Sequence, residues 1–178
     1  MAPDVPRPKS HPTLSVVVPT YRESANVVVL FERVKAVLEG LPWEMIVVDD
    51  DSPDGTSEIA FALASADPRM RCLRRVSRSG LAGAVVEGWM SSSADLVAVI
   101  DGDLQHDETI LPKMYRALAA GPANLAIGTR VVDEQKGGLS PARQKLSDLG
   151  AWFFRRLAGA PVTDPMSGYF MILSLIHI

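Results

Sequence analysis

The stretch Val97-Ala98-Val99-Ile100-Asp101-Gly102-Asp103-Leu104-Gln105 runs an apolar segment straight into two carboxylates separated by one glycine. An apolar run of this length, bounded by turn residues, reads as a strand buried on both faces, as in a parallel sheet. Its C-terminal end then opens into a loop where the one-residue spacer lets Asp101 and Asp103 converge on a point outside the sheet. Hard divalent cations take oxygen ligands, so Asp101, Asp103 and the amide oxygen of Gln105 are candidate ligands for Mg or Mn. A cation there would hold a diphosphate. Asp and Gly at a strand end also serve as plain turn residues, so the motif acquires chemical meaning only from its company.

Working outward, strand-like and helix-like segments alternate without an internal repeat or low-complexity linker. Strands are expected at Leu14–Val18, Glu44–Val48, Met70–Arg74, Leu96–Ile100 and Leu125–Ile127. Between them fall helices from the loop Pro19–Ala25 to about Glu39, at Thr56–Ala66, at Gly80–Ser91 and at Thr109–Ala119. In the first helix Val27, Leu30, Phe31, Val34 and Leu38 share one face. Repeated β-α units of this kind imply a Rossmann-like α/β fold, a mainly parallel sheet with helices on both faces. Ligands in such folds sit beyond the carboxyl ends of the strands.

The loops at those ends read PTYRE, DDDSPDG, DGDLQ and GTR. Tyr21 offers a flat ring and a hydroxyl, and Glu23 an acceptor, which suits a base and its ribose. The same pair could instead pack over a helix start and complement its dipole. Asp49, Asp50 and Asp51 repel one another unless hydrogen bonds or a cation relieve them, since turn and cap duties use only one or two. Arg130 can pair with a phosphate through its planar fork, or form a surface salt bridge.

Composition sets the limits. The 178 residues, 47% hydrophobic and 22% charged, suit one soluble globular domain with a proper core. A net charge of −3 sets nucleic acid aside as the main partner, although basic residues crowd Arg69–Arg78 and Arg143–Arg156. The single cysteine, Cys72, excludes an intramolecular disulfide, reads as a buried strand residue and fits a cytoplasmic setting. Residues 1–12 are proline-rich without an apolar h-region and read as a disordered lead-in, not a signal peptide. No apolar run approaches the roughly 20 residues that span a bilayer. The run Met171–Ile178 has no stop signal, so the fold is expected to be cut inside an element, with Leu173–Ile178 set apart as a candidate foreign tail after a domain covering 13–172.

Taken together, the motifs VVVPTYRE, VVDDDSPDGT, RSGLAGAVVEG, DGDLQH, IGTR and DPMSGYF resemble, in order, the family 2 inverting glycosyltransferases of the GT-A fold, in particular the dolichol-phosphate mannosyltransferase group. The resemblance runs from Leu14 to about Phe170. It implies that Pro19, Tyr21, Glu23, Val48, Asp49 and Asp51 contact the nucleotide-sugar donor, with an acid on the base. It further implies that Asp101, Asp103 and Gln105 hold Mg or Mn on the donor diphosphate, that Gly102 lets the backbone approach it, and that Arg130 binds the same group. Arg143 falls where the family uses an arginine on the acceptor lipid phosphate, with Ser147 nearby. Two departures stand out: Asp107 follows His106 where many relatives have proline, and the chain stops before later basic residues that help bind the donor.

Granted those roles, the metal and Arg130 would neutralise the leaving diphosphate. A polyprenyl or dolichyl monophosphate acceptor is already an anion, so no general base is required, and attack from the opposite face inverts the anomeric carbon. Mannose from GDP-mannose is the first expectation, glucose from UDP-glucose the next. The segment Arg143–Leu157 carries Leu146, Leu149, Trp152, Phe153 and Leu157 at helical spacing, with Arg143, Lys145, Arg155 and Arg156 beside them. Such a helix can lie on a membrane interface, placing the protein at the inner face of a membrane, or pack conventionally on a core. Two competing classes are a haloacid-dehalogenase-type phosphatase, with Asp101 as nucleophile and Asp103 as acid, and a nucleotide-sugar binding module without catalysis. The phosphatase pattern expects its motif on the first strand, whereas here it falls on the fourth.

Overall fold

The computed structural model describes residues 12–128 and 168–174. Its strands are β1 (Leu14–Thr20), β2 (Trp43–Asp49), β3 (Met70–Arg74), β4 (Leu96–Val99), β5 (Leu125–Ile127) and β6 (Phe170–Leu173). Helices α1 (Val27–Val37), α2 (Thr56–Ala66) and α3 (Leu81–Ser91) connect the first four strands. A 3₁₀ turn at Glu108–Ile110 leads into α4 (Leu111–Ala120). The strands form one sheet in the order β3-β2-β1-β4-β6-β5.

β1 and β2 are buried along their whole length, as strands rich in apolar residues at the centre of a parallel sheet are, with Ser15, Thr20, Glu44 and Asp49 buried among the apolar side chains. Alternation then divides their side chains between two cores. Leu14, Val16, Val18, Met45, Val47, Leu96, Ala98 and Ile100 belong to the core that includes α1, α2 and α4. Val17, Ile46, Val48, Val97 and Val99 belong to the other, with Ala84, Val85 and Trp89 of α3. The helical face expected of Val27, Leu30, Phe31, Val34 and Leu38 is the buried one.

The expected parallel arrangement holds for β1 with β2, β1 with β4 and β2 with β3. The sequence reading lacks β6, which lies between β4 and β5 and runs antiparallel to both. Four residues in an apolar tail offer no period from which to read a strand, and their partners are remote in the chain. Leu173, in the run set apart from the domain, pairs with Leu96, and the next residue, Ser174, donates its backbone N–H to Asp95 at 2.8 Å. The ordered fold therefore includes both. Cys72 lies on β3 as expected but is only half-buried; burial, reinforced by Asp49 and Glu58, pushes its thiol up to about 12.

The fourth helix starts later than expected because Asp107 caps a 3₁₀ turn first, its Oδ1 accepting from Thr109 N at 2.9 Å and Thr109 Oγ1 at 2.6 Å. These bonds hold the Asp107 carboxyl below its ordinary range. The aspartate thus supplies a helix start by side-chain capping.

At its far end α3 is tied down by Ser15, whose hydroxyl donates to Glu44 Oε1 at 2.6 Å and lies 2.7 Å from Ser92 Oγ. Nearer its middle, a Cβ on Gly88 would collide with Val17 Cγ1 and lie 2.9 Å from Val48 Cγ2. Gly88→Ala is expected to destabilise the protein. Overpacking costs about 1–3 kcal/mol, against the up to ~1 kcal/mol that alanine gains over glycine in a helix. Urea unfolding of the variant checks it.

Candidate active site

Among the described residues four non-glycines have positive φ: Arg22 at 63°, Asp51 at 55°, Ser77 at 60° and Leu104 at 61°. They fall one each in the loops after β1, β2, β3 and β4. Strained backbone persists where surrounding structure over-determines it, and it gathers at functional sites. All four mark the carboxyl edge of the parallel strands, where ligands bind in open α/β sheets.

The loop after β1 hangs on the side chains of the loop after β2. Arg22 N donates to Ser52 Oγ at 2.9 Å, Glu23 N to Thr56 Oγ1 at 3.0 Å and Ser24 N to Asp54 Oδ2 at 3.2 Å. Thr56 Oγ1 also donates to Asp54 Oδ1 at 2.6 Å. Ser52, Asp54 and Thr56 therefore shape the site although the sequence shows them only as turn and helix-start residues. A periodicity of one, two or three residues within a turn does not reveal which distant N–H groups a side chain will meet.

The acidic triplet divides its work. Asp49 is 0% exposed, its Oδ1 accepting from Thr20 Oγ1 at 3.0 Å and Ser52 Oγ at 2.6 Å, and its Oδ2 from Ser52 N at 2.9 Å. The Val48 side chain lies in the core beside it. The side chains of these two residues form the base on which the loop stands, because the strand continues through Asp49 and turns that side chain inward. Asp50 and Asp51 come next and line a cleft of about 610 Å³ together with Tyr21, Ser77, Arg78, Ser79 and Gly80. Asp50 was absent from the expected set. Asp51 Oδ1 accepts from Arg74 Nε at 2.6 Å.

Tyr21 is 56% exposed, and the Arg22 guanidinium lies 5.2 Å from its ring centroid. Pro19 lines a smaller adjoining recess with Thr20, Tyr21, Asp50, Leu81 and Ala84. Glu23 Oε2 accepts from Asn26 Nδ2 at 2.6 Å. Its Cγ would stand 3.3 Å from a Cβ at Gly102, and Thr20 Cγ2 3.2 Å. Glycine at position 102 thus lets the loop after β4 lie against the loop after β1.

Within DGDLQH, Asp101 Oδ2 lies 3.0 Å from His106 Nε2, and the His106 ring sits 5.1 Å from that of Tyr169. Tyr169 in turn donates its hydroxyl to Asp107 O at 3.1 Å, and burial pushes its phenol above the ordinary range. Asp101 also meets Gly168, where a Cβ would stand 3.0 Å from Oδ2 and 3.2 Å from Oδ1. His106 and Gly168 therefore flank the Asp101 carboxylate, with Tyr169 against the His106 ring, an arrangement the sequence did not reveal because Gly168 and Tyr169 arrive just ahead of β6. Asp103 and Gln105 are exposed, with Asp103 Oδ1 accepting from Gln105 N at 3.0 Å.

Among the described residues no group of three His, Cys, Asp or Glu side chains could hold a metal ion by itself. Two carboxylates and an amide oxygen on one loop nevertheless fit a hard cation that takes its remaining ligands from water and phosphate, the usual pattern for Mg. Arg130, Arg143, Ser147 and the segment Arg143–Leu157 lie outside the described residues.

A cleft bordered by Tyr21 and by acids, at the carboxyl edge of the parallel strands of a six-stranded sheet, defines an α/β domain with its polar loops gathered at the sheet's ligand edge. The chain belongs to glycosyl transferase family 2, whose pattern it matches over residues 15–174. It is 40% identical over 162 residues to a dolichol-phosphate mannosyltransferase of Pyrococcus furiosus, covering 89% of this chain and 46% of that one. It is 33% identical over 158 residues to an undecaprenyl-phosphate mannosyltransferase of Micrococcus luteus, covering 86% and 63% respectively. The chain thus spans about half the length of the curated relatives it matches. Among solved structures, glucosyl-3-phosphoglycerate synthase of Mycobacterium tuberculosis, in complex with Mn2+, UDP and phosphoglyceric acid, superposes with a TM-score of 0.66 at 26% identity. That match covers 92% of this chain and 56% of the other. Mannosyl-3-phosphoglycerate synthase of Rubrobacter xylanophilus shares the fold, with a TM-score of 0.72 at 22% identity over 92% of this chain and 54% of that one. The fold is the GT-A fold expected from the motifs, and the family sets the phosphatase reading aside.

Two predictions follow from the division of the acids. Asp49→Ala leaves the Thr20 hydroxyl and the Ser52 amide without their buried acceptor and is expected to cost about 1–3 kcal/mol of stability. Asp103→Ala, on an exposed side chain, should stay within about 0.5 kcal/mol. Thermal melts of both variants separate them. Asp54, held by Thr56 and then Ser24, has its carboxyl lowered from 3.8 to about 2. A depressed folded value means the unfolded chain takes up the proton first, so its contribution is present above the ordinary carboxylate range and is lost as pH falls from about 4 towards 2. The stability gap between the parent and Asp54→Asn should therefore be flat near neutrality and close across that window.

Proposed function

We propose that the protein transfers mannose from GDP-mannose to a polyprenyl or dolichyl monophosphate with inversion at the anomeric carbon. The observation that carries this reading is the placement of the DGDLQH loop at the carboxyl edge of the sheet, with Asp101 braced by His106 and Gly168 and Asp103 free to take a ligand. The names of the mannosyltransferase relatives support the sugar and the lipid acceptor.

In this reading the Tyr21 ring and the acids of the cleft take the nucleoside, with Glu23 towards the ribose. Asp101, Asp103 and Gln105 hold Mg or Mn, which when bound supplies charge to neutralise the donor diphosphate as the sugar leaves. Mn2+ in the related glucosyl-3-phosphoglycerate synthase complex supports a divalent cation here. Asp101 is kept in one orientation by His106 and Tyr169, so little reorganisation is needed when charge develops. Arg130 binds the diphosphate, and Arg143 with Ser147 receives the acceptor phosphate. That phosphate is an anion near neutral pH and attacks without a protein base.

The work belongs at the cytoplasmic face of a membrane, where polyprenyl phosphates present their head groups. The apolar and basic pattern of Arg143–Leu157 supports interfacial contact. Among the described residues no helix is long and apolar enough to cross a membrane.

Titration calorimetry with GDP-mannose, GDP and UDP-glucose, each with Mn2+ and with chelator, tests the donor. GDP-mannose should bind only with metal. Asp103→Ala should lose that binding and reduce transfer to a polyprenyl phosphate by at least about a hundredfold while melting normally. Preference for UDP-glucose would replace the sugar and nucleotide of this reading. Binding without transfer by the whole protein would reduce it to a binding module.

A further inference from the structure

The loop after β3, residues 75–80, supplies much of the cleft wall through Ser77, Arg78, Ser79 and Gly80. Its conformation is set from beneath by Arg75, which is only 4% exposed. The Arg75 backbone N–H donates to Asp49 O at 2.8 Å, extending the β2 pairing by one step. Its guanidinium then reaches three separate elements. Nη1 pairs with Asp50 Oδ1 in the loop after β2 and donates to Gly80 O at 3.1 Å, while Nε donates to Glu87 Oε1 on α3 at 3.2 Å.

Two further bonds close the network. Asp50 Oδ2 accepts from Gly80 N at 2.6 Å, and Glu87 Oε1 also accepts from Arg78 Nη1 at 2.9 Å. The helix makes room for this cation: a Cβ on Gly83 would stand 2.5 Å from Arg75 Nη2 and 3.4 Å from Cζ. Glycine at 83 is therefore explained by the guanidinium lying on that face of α3.

We propose that Arg75 is a positioning residue for the nucleoside end of the cleft. By locking Asp50, Gly80 and Glu87 together it presets the wall against which the nucleoside binds, and it acts on nucleotide affinity without touching the diphosphate end. A buried ion pair is a weak source of net stability, since desolvation offsets much of the attraction. What a forked donor gives here is a fixed geometry between three elements, which lysine cannot reproduce. Binding then costs less because the wall is already ordered. Arg75 lies on the β3 side of the cleft, whereas Asp101 and Asp103 lie across β1 on the loop after β4. The inference rests on the donor reading given above.

The test uses the whole protein and two perturbations of different kind. Arg75→Lys keeps the charge and loses the fork, while Gly83→Ala keeps Arg75 and displaces its guanidinium. Affinities for GDP and for inorganic diphosphate are measured with Mn2+, beside melting temperature and the separate kcat and KM for donor. Both variants should bind GDP about tenfold to hundredfold more weakly, the range for outer-shell partners, with KM raised and kcat little changed. Diphosphate binding should be unaltered, and Glu87→Gln should fall between parent and Arg75→Lys. Unchanged GDP affinity in folded variants overturns the inference. So does an equal loss of GDP and diphosphate binding, which would make Arg75 merely structural. Failure of the parent itself to bind GDP would overturn the donor reading and this inference with it.

Discussion

The ladder between β1 and β4 ends at the pair Val17–Val99, while that between β1 and β2 continues to Thr20–Asp49. Everything chemical in the molecule depends on that parting. Chain entering from β1 turns towards β2 and β3 on one side, and the chain that follows β3 crosses to the other side of β1 to form β4. The connections therefore leave a crevice above the two strands. Pro19 sits on β1 just past the last pairing with β4. It contributes no donor, and the sheet needs none from it at a position where β4 has already left.

The crevice is kept open by polar side chains that satisfy one another. Ser52, Asp54 and Thr56 take the amides of the loop after β1, and Asp49 takes the hydroxyls of Thr20 and Ser52. Among the described residues no buried side-chain nitrogen or oxygen lacks a hydrogen-bond partner. In a low-dielectric setting such a network is rigid only when complete, because each missing partner leaves a desolvated group behind. Three consecutive aspartates are tolerable on these terms. One is neutralised by hydroxyl and amide donors, one by Arg75 and one by Arg74, so their mutual repulsion never has to be met by burial alone.

This explains what could and could not be read in advance. The first four strands and their helices were legible because each is a run of local periodicity: α2 and β3 begin and end where Thr56, Ala66, Met70 and Arg74 place them. The grouping of Asp101, Asp103 and Gln105 on one loop was legible because these residues are adjacent. What escaped was everything assembled from afar. β6 brings Gly168 and Tyr169 to Asp101 and His106 across more than sixty residues of chain, and no pattern within DPMSGYF says which carboxylate it will meet. That Asp50 lines the cleft while the Asp49 side chain is buried has the same origin. Alternation tells that neighbours point to opposite sides, but which side faces the ligand depends on where the strand stops, and β2 runs one residue past the expected Val48.

The two glycines around the acidic loop complete the argument from geometry. Gly102 brings the loop against Thr20 and Glu23, and Gly168 brings the start of β6 against Asp101. A Cβ at either position would crowd its neighbour, at 3.2 Å from Thr20 Cγ2 for Gly102 and 3.0 Å from Asp101 Oδ2 for Gly168, while Asp103 remains exposed. One carboxylate of the loop is thereby held by its neighbours and the other stands open to solvent. An antiparallel strand inserted into an otherwise parallel sheet is thus more than a topological detail: the residues leading into it, Gly168 and Tyr169, pack against Asp101 and His106.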